Sequence, residues 1–119
     1  MTEKQNTKTY DLEDRTLEFA KQSRKFLRSI SKDFASIDDA KQLARSSGSV
    51  GANYIEANDA LSKKDFVHRI KICRKEAKES IYWFKLLNVS DEHENERQRL
   101  EQEANELMKI FGAILRKSQ

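Results

Sequence analysis

The sequence predicts an all-α protein, an antiparallel up-down-up-down four-helix bundle, and three observations carry that prediction. Its 119 residues include no proline and three glycines, where average usage would supply about six prolines. The commonest helix breaker is missing. Apolar residues recur at steps of three and four along four successive stretches, which keeps them on one side of a helix. The segments between these stretches are short and polar, and amphipathic helices joined by short turns pack most simply as antiparallel neighbours. A chain of this length forms one domain.

Residues 1–10 lack periodicity and are expected to form a mobile tail, with the bundle occupying residues 11–119. The first helix is predicted over about 11–31. Its core face is Leu12, Thr16, Phe19, Ala20, Ser23, Phe26, Leu27 and Ile30, and Asp11, Glu13 and Asp14 fall in a first turn whose dipole favours acids. The segment SKDFASIDD leads to a second helix over about 38–58, with Ser36 or Asp38 as its N-cap. This helix presents Ala40, Leu43, Ala44, Ser47, Val50, Gly51 and Tyr54 to the core. Gly48 and Gly51 each cost a helix about 1 kcal/mol relative to alanine, so close approach of a neighbouring backbone is expected there. The turn at 57–61 is expected to use Asn58 in the left-handed conformation. Ser62 then caps the third helix, with Asp65 in a capping-box-like position.

That third helix, about 62–89, has three different faces. Phe66, Ile70, Cys73, Ala77, Ile81, Phe84 and Leu87 form a core stripe. Half a turn away lie Lys64, His68, Lys71, Lys75, Lys78, Tyr82 and Lys85, and a flanking line runs through Ile72, Glu76, Glu79, Trp83 and Leu86. Eight basic residues against three acids give residues 62–89 a net charge of +5, while seven acids against two arginines give residues 90–108 a charge of −5. The fourth helix, about 91–117, carries Leu100, Ala104, Leu107, Met108, Phe111, Ile114 and Leu115 as its stripe, with Arg116 and Lys117 suiting its C-terminal dipole.

Lysines three and four residues apart on one helix each cost it a few tenths of a kcal/mol. A phosphate backbone removes that repulsion while releasing counterions. Lys64, His68, Lys71, Lys75, Lys78 and Lys85 are therefore candidate contacts to RNA or DNA, independent of base sequence because lysines mostly grip phosphates. The alternative is a solvated face. Ile72, Trp83 and Leu86 are candidates for subunit contact, since Ile81 and Phe84 already fill the core side. Arg45, Ser49, Asn53 and Glu56 form a line on the second helix small enough to complement them. The alternatives are packing inside a slightly rotated bundle for the first set, and a local hydrogen-bonding pair for Asn53 and Glu56.

Catalysis is not expected. Asp65 and His68 have a three-residue spacing, but a di-iron bundle needs two Glu-x-x-His pairs and two further carboxylates facing inward. His68 and His93 are read as solvated, and the sequence offers no cysteine pair for zinc, no phosphate-cradling glycine loop and no cofactor motif. The one cysteine, Cys73, falls on a core face. With no apolar leader and no run of about eighteen apolar residues, the expectation is a soluble, cytoplasmic protein without membrane contact.

Ser49, Val50, Ala52, Asn53 and Glu56, then a serine-and-lysine turn, an aromatic, and Glu76, Ala77, Glu79 and Trp83 form a composite signature. In it the chain resembles, over about residues 12–116, the bacterial large-subunit (23S) rRNA intervening-sequence proteins, a family of four-helix bundles. The resemblance implies a ring-like homopentamer. It also implies kinship with accessory proteins of diversity-generating retroelements, which bind nucleic acid and a reverse transcriptase through a basic surface. One departure is Ala57, where the family usually carries glycine. The leading expectation is an oligomeric, non-enzymatic protein that binds nucleic acid as an accessory to a nucleic-acid-processing partner. The alternative is a structural or protein-protein interaction scaffold whose basic face meets acidic protein surface, such as the acidic start of another copy's last helix.

Overall fold

The computed structural model describes residues 8–30 and 34–118. These form four helices, α1 (Lys8–Ser29), α2 (Phe34–Asn58), α3 (Lys63–Leu86) and α4 (Asp91–Ser118), with no strand among the described residues. Each helix packs on its neighbours in order, α1 on α2, α2 on α3, α3 on α4, and α4 back on α1 more lightly. The diagonal pairs meet only through core side chains. Phe19 and Phe26 of α1 both approach Phe84 of α3, at 6.3 and 6.1 Å between ring centroids, and Tyr54 of α2 meets Phe111 of α4 at 5.7 Å. Of the apolar stripes read from spacing, Leu12, Phe19, Leu43, Val50, Ile70, Cys73, Ala77, Phe84, Leu100, Leu107 and Phe111 are all buried. Such interdigitated aromatic and aliphatic burial is what holds an assembly of helices together.

Several local expectations are corrected. The expected tail, residues 1–10, lies outside the described residues up to residue 7, and Lys8 to Tyr10 already belong to α1. Glu13 and Asp14 consequently fall beyond the first turn. α2 starts at Phe34, so Ser36 and Asp38 lie inside the helix and do not cap it. Ser36 is buried one turn before Ala40, which extends the core face backwards. Asn58 is not left-handed, since the described residues include no positive φ. The turn is made instead by two tight bonds, Asp59 N–H to Glu56 O and Ala60 N–H to Ala57 O, both 3.1 Å. Ser62 does cap α3, its hydroxyl accepting the Asp65 N–H at 3.0 Å.

Close approach explains one glycine. A Cβ on Gly51 would stand 2.9 Å from Thr16 Oγ1 and 3.1 Å from Thr16 Cβ, so α1 sits directly on it. At Gly48 the nearest atoms belong to a side chain, not to a backbone. This glycine seats the flexible Arg24 guanidinium, which donates to Ala44 O at 3.3 Å. α3 ends at Leu86, three residues before the expected 89, because Leu87 turns to an extended conformation (φ −66°, ψ 133°) that buries its side chain. Arg97 Nη1 donates to Phe84 O at 3.1 Å, satisfying a carbonyl left over where the helix stops.

Candidate nucleic-acid interface

Because Ile70, Cys73, Ala77 and Phe84 are fully buried, the side of α3 half a turn away faces outward. Lys64, His68, Lys71, Lys75, Lys78 and Lys85 are all exposed on it. Two of the lysines have acidic partners in the chain, Lys75 with Glu79 at 3.8 Å and Lys85 with Glu101 at 3.7 Å. Lys64, Lys71 and Lys78 form no ion pair among the described residues. The acids of α4 are in the opposite condition. Glu94 and Glu101 both hold Arg97, Glu96 holds Arg99 at 2.6 Å, and Glu103 holds Arg15 at 2.7 Å. Hydrogen bonds from Arg97 and then Gln98 bring the Glu94 carboxyl down to about 2, and Arg99 lowers Glu96 in the same way.

Arg45, Ser49 and Asn53 lie along the seam between α2 and α3 of the same chain. Arg45 Nη2 is 3.2 Å from both Glu76 Oε1 and Glu79 Oε1. Glu76 is only 6% exposed; its Oε2 accepts a long hydrogen bond from Arg45 Nη1 at 3.4 Å, while its Oε1 accepts none and faces the guanidinium by charge alone. Ser49 Oγ donates to Arg45 O at 2.9 Å. Asn53 pairs with Arg69, not with Glu56: its Oδ1 accepts from Arg69 Nη1 at 2.9 Å, and its amide donates to Ser49 O. Glu56 is exposed. Ile72 and Trp83 are half-buried and Leu86 is 47% exposed. Thus Arg45 and Asn53 reach partners on α3 of their own chain.

Other features were hidden from the spacing argument. Ser46 and Ser80 are fully buried and share a hydrogen bond of 2.9 Å across the α2–α3 seam. His93 is not solvated: it is half-buried, edge-on to Phe26 at 6.4 Å. Burial pushes the Cys73 thiol up to about 12, so it is a small apolar group and not a nucleophile at neutral pH. Beside the lysine stripe, Lys75, Lys78, Glu79, Tyr82 and Trp83 line an open groove of about 490 Å³. Among the described residues, no cluster of His, Cys, Asp or Glu has the arrangement to hold a metal ion. No described helix is long and apolar enough to cross a membrane.

Four helices with no strand among the described residues, closed around one core and cationic along one outer face, define an all-α bundle-forming protein. Residues 8–113 match the model of the 23S rRNA-intervening sequence protein family, and the chain belongs to that family. A crystal structure described as a protein of unknown function from the S23 ribosomal protein family of Bacteroides thetaiotaomicron VPI-5482 is similar to it. The two share 34% identity and a TM-score of 0.73, over 87% of this chain and 96% of that one. No curated protein matches the chain. The resemblance read from the α2 signature and the Glu76 to Trp83 run is therefore borne out at the level of family.

Proposed function

We propose that this protein is a non-enzymatic, antiparallel bundle that associates with itself and grips the phosphate backbone of RNA or DNA through the outer face of α3. It would act as an accessory to a nucleic-acid-processing enzyme. The observation that carries the reading is the unequal partnering of charge. Glu94, Glu96, Glu101 and Glu103 are neutralised within the chain, whereas Lys64, Lys71 and Lys78 are exposed and form no ion pair among the described residues. Unpaired cations of like sign along a helix are relieved by phosphates. The same observation weighs against a scaffold in which α4 acids of a second copy cover the stripe, since most of those acids are already engaged. Self-association would multiply the three lysines without ion pairs among the described residues into a continuous basic surface, with a homopentamer as the expected state. Of the expected contact residues, the half-buried Ile72 and exposed Leu86 are kept at the contact, whereas Trp83 packs in part against its own core.

The test is light scattering of the protein alone and with a short mixed-sequence RNA or DNA, beside a Lys71→Gln, Lys75→Gln, Lys78→Gln variant. The reading predicts an oligomer that gains mass with nucleic acid, and a variant that keeps its fold and oligomeric mass but loses the gain. Unchanged binding by the variant would rule out the stripe.

A further inference from the structure

From the groove beside the lysine stripe we infer that the protein favours single strands over duplex, by stacking an unpaired nucleobase on Tyr82 and Trp83. The inference rests on the backbone-gripping role proposed above and names the form of nucleic acid that the same face takes. Tyr82 is 58% exposed and stands outside the core, so much of its ring meets solvent. It stands edge-to-face with Trp83 at 5.0 Å between centroids, which holds the pair in a defined orientation. The two rings share their groove with Lys75 and Lys78.

The surrounding charge fits a nucleotide. With a rise of about 1.5 Å per residue, Lys78 lies roughly 6 Å before Tyr82 along the axis and Lys85 about 4.5 Å after it. The ring is therefore flanked by cations in both directions, Lys78 without an ion pair among the described residues and Lys85 shared with Glu101 at 3.7 Å, so a phosphate beside the base meets Lys78 first. Glu79, the one acid in the groove, is compensated by Arg45 at 3.2 Å and Lys75 at 3.8 Å, so it does not repel an incoming phosphate. Aromatic rings beside a basic track are how proteins hold single strands without reading sequence, because every base offers a flat face. Within a duplex those faces are covered by their neighbours, and only the backbone is left to grip.

Trp83 is the single tryptophan of the chain, so its fluorescence reports on the groove directly. The experiment titrates the full-length protein with a labelled single-stranded oligonucleotide and with an abasic oligonucleotide of the same length. Anisotropy reads affinity and Trp83 emission reads stacking. The expected result is quenching by the base-bearing strand alone and about tenfold tighter binding than the abasic strand, within the span of about fivefold to about 150-fold for one stacked base. Tyr82→Ala should remove most of that gap, leave abasic binding unchanged and keep the fold, since an exposed ring supports no core; Tyr82→Phe should restore it. Equal affinity for both strands without quenching overturns stacking while backbone binding stands. Binding of neither overturns both. A fall in oligomer mass on Tyr82→Ala also overturns it, because the rings would then belong to a contact between copies.

Discussion

At the scale of single residues, two glycines one turn apart should respond oppositely to the same change. Gly51→Ala forces a methyl to within 2.9 Å of Thr16 Oγ1, and overpacking of that kind costs about 1–3 kcal/mol. At Gly48 the obstacle is the movable Arg24 guanidinium, so alanine should recover up to about 1 kcal/mol of helix propensity. Urea unfolding of the two variants checks both signs. The Cys73 thiol, held up near 12 from an ordinary 9.0 by burial, should resist thiol reagents until the chain unfolds. Its folded value lies above its unfolded one, so the stability it contributes is complete below about pH 9 and declines as pH rises toward 12. Labelling rates in native and denaturing buffer test the first point. Spacing disclosed nearly all the core residues because apolar side chains announce a buried face. It missed Ser46 and Ser80, whose burial depends on finding each other across the α2–α3 seam, a partnership no single stretch of sequence displays.

At the scale of the helices, side chains that reach from one element to the next do the joining. Arg45 of α2 is the cation facing the buried Glu76 of α3, and removing Arg45 leaves that carboxylate inside without its compensating charge. Arg45 is half-exposed, so water screens part of the loss, and Arg45→Ala should cost about 1–3 kcal/mol while Glu76→Met costs less. Denaturant midpoints of the two variants distinguish this from an idle surface pair. Arg97 links α4 to the last turn of α3 through Phe84 O and lowers the Glu94 carboxyl from 4.5 to about 2. A lowered carboxylate stabilises the fold above its unfolded value, so this contribution should fade as pH drops from about 4.5 toward 2. Arg97→Gln should flatten that segment of the acid-unfolding curve. The number and order of helices were legible in the sequence, whereas their ends depended on contacts. α2 gained a turn because Ser36 could be buried, and α3 stopped early because Leu87 found the core and Arg97 took up the freed carbonyl.

At the scale of the whole molecule, the chain separates its charges. α4 is rich in acids and engages most of them within the chain, while α3 leaves lysines outward, and that asymmetry is the basis of the proposed function. The sequence displayed the opposed charge of the two segments but not which charges were already paired, since Arg15 and Glu103 are 88 positions apart yet meet at 2.7 Å. Nor did it display the groove of Tyr82 and Trp83, because the spacing set Trp83 on a flank and Tyr82 on the stripe, and only folding the side chains brought the rings together. If the outer face of α3 holds phosphates, binding must be salt-dependent in proportion to the contacts made. The most direct measurement is the affinity for a short single-stranded oligonucleotide as a function of salt concentration. Lys64, Lys71 and Lys78, which form no ion pair among the described residues, at about 0.7 each predict a log-log slope of about −2 or steeper per bound chain, reduced to about −0.7 in the Lys71→Gln, Lys75→Gln, Lys78→Gln variant, which keeps Lys64. A flat salt dependence, or a slope the variant leaves unchanged, would contradict the assignment of that face to nucleic acid.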